Sequence, residues 1–288
     1  MGKDPTLLGE HAYGKSGVRV VHVTRSGDRD TLRDFTIAIA FQGDYAASYV
    51  DGSNSDVLPT DTMKNTVYAL AAREQNLAPE PFAITLGTHF LAHNAQLACA
   101  TIDVQQHLWE AMTVDGREHG QAFVRRGPET RTARVVARRE RTEVAAGIAD
   151  LVIMKTGHSA FSGFKRDEFT TLPETRDRLL ATSMTATWNY ATASTAFEPA
   201  WHAVRRALLE TFARHESESV QHTLYAMGEA VLQAVAGVTD IHIVMPNRHH
   251  IPVDLRPFRK EQEMAESAKV FVATTEPFGL IEATVRRR

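Results

Sequence analysis

Polar side chains crowd into one short stretch of the sequence, at the point where a helix is expected to begin. The stretch at 57–72 reads VLPTDTMKNTVYALAA. One Ser, Thr, Asp or Asn side chain is enough to cap the free amides of a first helical turn. Here several such residues stand beside Lys64, namely Thr60, Asp61, Thr62, Asn65 and Thr66. The surplus raises the question of which of these groups serve chemistry instead of capping.

Polar residues also interrupt predicted strands and helices at other places along the chain. They fall at the start of the first strand, in two stretches of the second half, at the start of the last helix and within a late strand. The stretches are Tyr13-Gly14-Lys15, HSAFSGF at 158–164, ETRDRLLA at 174–181, ESVQHTLY at 218–225 and MPNRHHI at 245–251. Each stretch taken alone is explained by caps, turns and surface charge.

Familiar catalytic and metal-binding motifs are missing from the sequence. It contains no Walker-type phosphate loop, no Gly-x-Gly-x-x-Gly after a strand and no Gly-x-Ser-x-Gly elbow. His89 and His93 stand one helical turn apart, but no Glu follows the first His as in zinc peptidases. Ordinary helix histidines are therefore favoured, and no metal site is expected. His249 and His250 are adjacent on a predicted strand, so they point to opposite faces and cannot chelate one ion together.

The composition excludes several classes of partner. Hydrophobic residues make up 43% of the 288 residues, charged residues 23%, and the net charge is -3, which gives no electrostatic case for nucleic acid or an anionic membrane. No apolar run approaches the roughly 20 residues that span a bilayer. Cys99 is the only cysteine, and its apolar neighbours favour a small core residue over a nucleophile. With no terminal Ser-Lys-Leu-type address, the cytoplasm is expected rather than the peroxisome.

Hydrophobic periodicity predicts the same order of elements twice: two strands, two helices and two strands. Strict alternation predicts a half-buried strand whose inner face carries Phe35, Ile37, Ile39 and Phe41. Helices follow near 61–76 and 80–96. In the second half, two helical stripes predict core faces: Trp201, Val204, Leu208 and Phe212, then Val220, Leu224, Met227 and Val231. Late strands are expected at 239–255 and 269–287.

Short turns between the predicted strands favour antiparallel sheet, with each pair of helices covering one face. The pattern therefore predicts an α+β protein built by duplication, with a boundary near residue 145. The two halves share this pattern of elements without obvious identity of residues.

Taken in order, the polar stretches resemble the urate oxidase, or uricase, family across nearly the whole chain. The matching strings are YGKSGVRV, PTDTMKNTVYALA, ITLGTHF, FSGFKRDEFTTL, RDRLLAT, SVQHTLYAMGE, MPNRHHIPVDL and PFGLIEATV. The resemblance implies two tandem tunnelling-fold (T-fold) modules, here 1–145 and 146–288. Each module is a four-stranded antiparallel sheet with two helices on one face. In the family, homotetramers stack two barrels around a tunnel.

The resemblance also implies which residues carry the chemistry. Lys15, Thr60 and His249 correspond to the catalytic proton relay. The residues that correspond to substrate contacts are Thr60, Asp61, Phe161, Arg178, Val220, Gln221 and Asn247. Asp61 and Val220 act through the backbone, and Asn247 holds dioxygen or water. Thr62 and Asn65 are expected to keep a capping role at the helix start.

These residue types suit urate, a flat purine anion with carbonyls and ring N–H groups. Arg178 offers two parallel donors to such an edge, and its neighbour Arg176 is the alternative. Gln221 supplies an amide donor and an acceptor, and Phe161 a ring face for stacking. Ser162 departs from the family, which often has an aromatic residue there, and this puts the packing of the pocket in question.

The implied reaction needs no metal and no organic cofactor. Urate loses a proton and gives electrons to dioxygen; water then replaces a peroxide at C5, which yields 5-hydroxyisourate and hydrogen peroxide. Lys15 serves as the base only where burial or a nearby charge favours its neutral form. The implied partners are urate, dioxygen and further copies of the chain, because the family builds each active site between two subunits.

Two other functions stay open at this level. One is another T-fold enzyme that acts on a pterin or purine; the other is a purine-binding relative without catalysis. T-fold enzymes that act on pterins or purines usually anchor their ligand with a Glu, whereas Gln221 stands at the corresponding position here. Retention of Lys15, Thr60 and His249 favours catalysis over binding alone.

Overall fold

The computed structural model of the chain describes residues 6–255, 257 and 269–288. The strands are β1 (Tyr13–Ser26), β2 (Arg29–Gly43), β3 (Leu97–Val114), β4 (Arg117–Arg138), β5 (Thr142–Lys155), β6 (Leu180–Tyr190), β7 (Val238–Asn247), β8 (His250–Pro252), β9 (Phe271–Ala273) and β10 (Gly279–Arg286). The helices are α1 (Ala46–Val50), α2 (Thr60–Ala71), α3 (Pro79–His93), α4 (Phe197–Arg214) and α5 (Val220–Ala234). Apart from the short α1, β8 and β9, this order is the one that the periodicity predicts.

A large sheet dominates the described residues. Its strand order is β1-β2-β3-β4-β5-β6-β7-β10, and β8 pairs with β9 in a separate small sheet. The pairs β1/β2 and β3/β4, which short turns join, are antiparallel as predicted, and the pairs β2/β3 and β7/β10 are antiparallel too. The prediction of an α+β protein with antiparallel sheet is confirmed. No helix in the described part of the chain is both long and apolar enough to cross a membrane.

The chain divides into two compact units. The first comprises Met1–Ile148, Thr187–His202 and Gly237–Thr239. The second comprises Ala149–Ala186, Ala203–Ala236 and Asp240–Arg288. The boundary near residue 145 concerns the repeat of the sequence pattern, and it stays a prediction.

The core of the first unit follows the alternation read in β2. Phe35, Ile37 and Phe41 have no exposed surface and Ile39 is 2% exposed. Helix α2 packs on β1, and α3 packs on β3 and β4, so this apolar face of the sheet is covered by helices. Cys99 on β3 is buried, as expected for a small core residue.

A bulge in β1 decides which face of the sheet carries Lys15. Lys15 pairs with Ile39 and Val18 pairs with Ile37, so two residues of β1 lie opposite one residue of β2. Gly17 in the bulge has a φ of 71°, a conformation that glycine adopts without strain. Residues directly opposite each other share a face. Lys15 therefore lies on the same side as buried Ile39, whereas simple alternation counted back from Val18 places it on the other side.

Charged groups are buried inside the first unit. Arg131 on β4 is 2% exposed and Glu80 on α3 has no exposed surface; Arg131 Nη2 donates to Glu80 Oε2 at 2.7 Å. Arg131 also donates to Glu198 and lies 5.1 Å from the ring centroid of Trp201. Burial raises the pKa of Glu80 in spite of the Arg131 charge. Burial also acts to raise the pKa of Glu198, but the charge and hydrogen bond of Arg131 outweigh it and lower that pKa.

The second unit packs α5 tightly against β10. A methyl group added at Gly228 would lie 2.5 Å from the Val285 side chain, so only a glycine permits this approach. The predicted core face of α5 is buried at all four positions, which are Val220, Leu224, Met227 and Val231. The predicted core face of α4 is also buried, at Trp201, Val204, Leu208 and Phe212.

The two late strands are shorter than predicted. The strand expected at 239–255 ends at Asn247, where the chain turns before the three residues of β8. The strand expected at 269–287 is divided into β9 and β10. Pro246 and Pro252 lie on either side of the first break and Pro277 lies in the second, and proline offers no N–H for a sheet hydrogen bond.

Candidate active site

Thr60 is the first residue of α2, and its hydroxyl is free of the capping role. Pro59 occupies the N-cap position and no side chain caps this helix end. The first helical bond runs from the Met63 N–H to the Pro59 carbonyl at 3.2 Å. The half-buried Thr60 hydroxyl makes no hydrogen bond within the described part of the chain. A group in this position is available to a ligand.

One hydrogen bond ties the Thr60 segment to the Lys15 segment. The Leu58 N–H donates to the Tyr13 hydroxyl at 3.0 Å. Tyr13 is two residues from Lys15 along β1, and Leu58 is two residues from Thr60. Burial raises the pKa of Tyr13, and its ring packs edge-on against Tyr45 at 4.8 Å. This hydrogen bond thus joins the two segments of the first unit that carry Lys15 and Thr60.

Asp61 is the centre of a small network of charges at the start of α2. Its exposed carboxylate accepts hydrogen bonds from Lys64 Nζ and, at 3.0 Å, from Asn65 Nδ2. The Lys64 hydrogen bond is the largest cause that lowers the pKa of Asp61, and the charge of Lys15 contributes to the same effect. Lys15 is therefore close enough to α2 for its charge to act on Asp61.

The expectation that Thr62 and Asn65 satisfy amides at the helix start is wrong. The Asn65 side chain is engaged by the Asp61 carboxylate. The Thr62 carbonyl accepts from the Thr66 hydroxyl at 2.9 Å, a bond back along the helix. With Pro59 as N-cap, the remaining polar residues of this stretch bond to one another and leave the Thr60 hydroxyl open.

In the second unit, backbone hydrogen bonds hold together three segments that carry predicted substrate contacts. The Phe161 N–H donates to the Thr175 carbonyl at 2.7 Å, and the Thr175 N–H donates back at 3.0 Å. The Arg178 N–H donates to the Ser159 carbonyl at 2.9 Å. The Ala160 N–H donates to the carbonyl of Ser217, shortly before α5, at 2.6 Å. A network of backbone hydrogen bonds, the backbone network, thus positions Phe161, Arg178 and the start of α5.

Arg178 combines an unpaired buried N–H with an aromatic neighbour. Its Cζ lies 5.1 Å from the centroid of the Phe161 ring. Its Nε is buried without a hydrogen-bond partner in the described part of the chain, although buried donors are ordinarily paired. Burial lowers the pKa of Arg178, but a guanidinium remains charged at neutral pH. Arg176 is exposed, so the geometry favours Arg178 over this alternative.

Val220 and Gln221 are the first two residues of α5. Ser219 caps the helix and its hydroxyl accepts from the His222 N–H at 3.1 Å. The N–H groups of Val220 and Gln221 precede the first helical bonds, so they have no partner inside the helix. Val220 is 3% exposed, while the Gln221 side chain is exposed and makes no hydrogen bond among the described residues. Both can present donors to an anion.

Asn247 and His249 lie where β7 ends. Asn247 is the last strand residue, pairs with Gly279 and is 9% exposed. The chain then leaves the sheet, and the carbonyl of exposed His249 accepts from the N–H of Thr274 at 3.0 Å. The inference that His249 and His250 alternate on one strand is wrong, because β8 begins only at His250.

The described residues contain no group of three or more His, Cys, Asp and Glu side chains arranged to hold a metal ion. His89 and His93 stack their rings at 4.2 Å, and His93 Nδ1 donates to the His89 carbonyl at 2.8 Å. Both histidines are thus accounted for by ring stacking and a helix hydrogen bond.

Two positions near the site were not singled out from the sequence. Phe164 stacks on Phe161, with ring centroids 4.9 Å apart and planes at 15°. The Asp177 carboxylate accepts from the His158 N–H at 3.1 Å and so supports the backbone network. The spacing of two aromatic residues around a glycine in Phe161-Ser162-Gly163-Phe164 is the signal that could have pointed to Phe164.

Comparison with solved structures defines the class of fold. The crystal structure of uricase from Arthrobacter globiformis matches with a TM-score of 0.91 and 38% identity, covering 99% of this chain and 96% of that one. Urate oxidase from Bacillus sp. TB-90 matches with a TM-score of 0.84 at 23% identity, which supports the fold alone.

Comparison of sequences gives the family. The uricase family model matches residues 11–136 and 144–282. The uricase of Arthrobacter globiformis is 38% identical over 98% of this chain and 90% of its own length. That of Emericella nidulans is 36% identical over 96% of both chains. The chain belongs to the uricase family.

Proposed function

We propose that this chain oxidises urate with dioxygen and water to 5-hydroxyisourate and hydrogen peroxide. Membership of the uricase family supports the activity and the substrate. The observation that carries the assignment of the site is Arg178: a half-buried guanidinium with an unpaired Nε, close to an aromatic ring and tied to a helix start. A planar anion with adjoining carbonyl and N–H groups complements this arrangement.

The proposed grip on urate consists of Arg178, Phe161, Val220 and Gln221. Arg178 donates in parallel to a carbonyl and ring-nitrogen edge. The Gln221 amide donates to and accepts from the adjoining edge, and the Val220 N–H adds a backbone donor. Phe161 stacks on the purine, a contact worth about 0.5–1.5 kcal/mol beyond area.

The proposed relay consists of Lys15, Thr60 and His249. A proton of urate passes to Lys15 through the Thr60 hydroxyl, which both donates and accepts. His249 extends the path for protons, and the backbone of Asp61 contacts urate. The free Thr60 hydroxyl and the Tyr13–Leu58 bond that holds its segment beside Lys15 support this role.

The electron balance requires one dioxygen and one water for each urate. The deprotonated purine gives up two electrons, dioxygen becomes peroxide bonded to C5, and water replaces the peroxide as hydrogen peroxide leaves. We place dioxygen and then water at Asn247. The proposal includes no metal and no organic cofactor.

The assembly that we propose is a homotetramer of T-fold modules, 1–145 and 146–288, arranged as barrels around a tunnel. Each active site then takes Lys15 and Thr60 from one chain, and Phe161, Arg178 and Gln221 from its neighbour. This division agrees with the separation of the relay and grip residues in the sequence. The cytoplasm stays a prediction for the location of the enzyme.

Turnover by pure protein treated with a chelator tests the reaction. We expect loss of urate absorbance with one hydrogen peroxide per urate. Turnover of a pterin or another purine alone would favour another T-fold enzyme, and binding of urate without peroxide would favour a non-catalytic relative. Activity that is lost on chelation and restored by a metal would contradict the cofactor-free proposal.

Complementation tests the shared site. Lys15→Ala and Arg178→Ala chains should each be nearly inactive. When the two are co-expressed and mix at random, roughly a quarter of the pockets join an intact relay to an intact grip. Mixed oligomers, confirmed by mass, should regain a corresponding share of activity. Mixed oligomers as inactive as either parent would refute a site shared between chains.

A further inference from the structure

Rings and guanidinium groups form a continuous chain of contacts in the long connection between β5 and β6. Arg178 Cζ lies 5.1 Å from the centroid of Phe161, whose ring lies 4.9 Å from that of Phe164. Arg166 Cζ lies 5.1 Å from the centroid of Phe164. Cations placed over aromatic faces within about 6 Å are attracted by them. The outer members, Phe164 and Arg166, belong to no predicted contact with urate.

Local backbone geometry creates this chain of contacts. Gly163 has a φ of 68°, in the left-handed region that favours glycine, and it lets the chain reverse between the two rings. The N–H and the carbonyl of Phe161 both form hydrogen bonds with the backbone of Thr175. Arg166 pairs with Glu174 at 3.9 Å, one residue before Thr175. The segment that carries Phe164 is therefore tied to the same stretch, 174–175, as Phe161.

We infer that Phe164 is a positioning residue that sets the plane of the Phe161 ring. The inference rests on the proposed stacking of Phe161 on urate. Hydrogen bonds fix the Phe161 backbone, but a side-chain torsion still allows its ring to turn. The Phe164 ring, at 15° to it, covers part of one face of Phe161. The plane of the Phe161 ring is thereby set before a ligand binds, so binding carries no cost for ordering the ring.

Kinetics of Phe164 variants test the inference. Stacking contributes equally to ground and transition states, so losing it should raise KM and leave kcat unchanged. We expect Phe164→Leu to raise the KM for urate by roughly 2- to 12-fold. Phe164→Tyr keeps an aromatic ring and should keep a normal KM. Phe169→Leu is the matched control, because Phe169 lies in the same connection but is 81% exposed.

A double-mutant comparison separates this inference from the proposed site. If Phe164 acts only through Phe161, adding Phe164→Leu to Phe161→Leu should not raise KM further. An unchanged KM in Phe161→Leu would overturn the proposed stacking itself. A raised KM in Phe161→Leu with a normal KM in Phe164→Leu would overturn only the role of Phe164. A full further increase in the double variant would also overturn it.

Folding is checked by thermal unfolding of each variant. Should Phe164→Leu fail to fold, Phe164→Met gives a second route, since a flexible methionine fills the volume without a ring plane. The same rise in KM at constant kcat is expected. An equal loss of kcat in folded protein would mark Phe164 as a structural residue and contradict the inference.

Discussion

Two of the proposed relay residues, Lys15 and Thr60, and two of the proposed grip residues, Phe161 and Arg178, are positioned by different kinds of structure. Lys15 lies in a strand and Thr60 begins a helix, so regular elements place both, and the Tyr13–Leu58 bond links them. Phe161 and Arg178 lie in the irregular connection 156–179 between β5 and β6. Backbone bonds between loop segments replace regular pairing there.

The difference agrees with the roles that we propose for the two groups of residues. A proton relay needs hydroxyl and amino groups at fixed separations, and strands and helix ends supply rigid backbone for that purpose. A grip on a flat ligand needs donors and a ring face converging from several directions, which an irregular connection can present. Substitutions of the proposed relay residues should therefore change kcat, whereas substitutions of the proposed grip residues should change KM.

Removing the guanidinium from the grip should have the largest effect. Arg178→Ala leaves a bound anion without its charged partner, which typically costs about 2–5 kcal/mol. The KM for urate should rise by roughly 30-fold to several thousand-fold. Exposed Arg176 provides the control, and Arg176→Ala should bind normally. Normal urate affinity in folded Arg178→Ala would remove this residue from the site.

Deleting the relay hydroxyl should give the next largest effect, this time on kcat. Thr60→Val keeps the shape of the side chain, and Pro59 already occupies the cap position, so the protein should fold normally. Loss of a proton-transfer group lowers kcat by on the order of 100-fold. Thr62→Val on the same helix is the control. Full activity with only about 1 kcal/mol less stability would assign Thr60 a capping role.

A smaller loss of kcat is expected where β1 approaches β2 beside Lys15. A methyl group at Gly14 would lie 1.8 Å from the Ile39 carbonyl oxygen, so Gly14→Ala must separate the two backbones. We expect roughly a tenfold fall in kcat, since small displacements of catalytic groups are costly. Gly9→Ala has open space and should be neutral. A rise in KM at constant kcat would contradict the division between relay residues that affect kcat and grip residues that affect KM.

The smallest effect should follow from loosening the tie between the relay segments. Tyr13→Phe deletes the acceptor of the Leu58 N–H and should cost about 1 kcal/mol of unfolding free energy. A fall in kcat of a few-fold should accompany it, with KM unchanged. Tyr68→Phe, at an exposed position of α2, should alter neither value. Equal kinetics in both variants would show that the tie does not position Thr60.

Regular elements could be predicted from the sequence because burial imposes a period. The alternation at Phe35, Ile37 and Ile39 marks the inner face of β2 without any knowledge of the fold. Lys15 shows the limit of this reasoning, since the bulge before Val18 reverses the face that alternation gives. A bulge depends on pairing with a distant strand, and local periodicity does not contain that information.

The candidate site was less accessible to reasoning from residue types. Thr60 begins a helix, as the sequence predicts, but the expected capping by Thr62 and Asn65 is wrong because Asp61 engages Asn65. Phe164 was missed because its ring contact depends on the left-handed Gly163. Short-range side-chain competition and loop geometry have no period, so they become visible only in three dimensions.

The buried pair of Arg131 and Glu80 restricts how this sequence can drift over generations. Loss of Arg131 strands the Glu80 carboxylate in the interior, at a cost of about 3–5 kcal/mol. That is a large part of the roughly 5–15 kcal/mol that holds a typical domain folded. Replacement of both by well-packed apolar residues is often close to neutral. A single substitution of Arg131 is thus selected against where the double exchange is tolerated, and Arg131 is expected to change only together with Glu80.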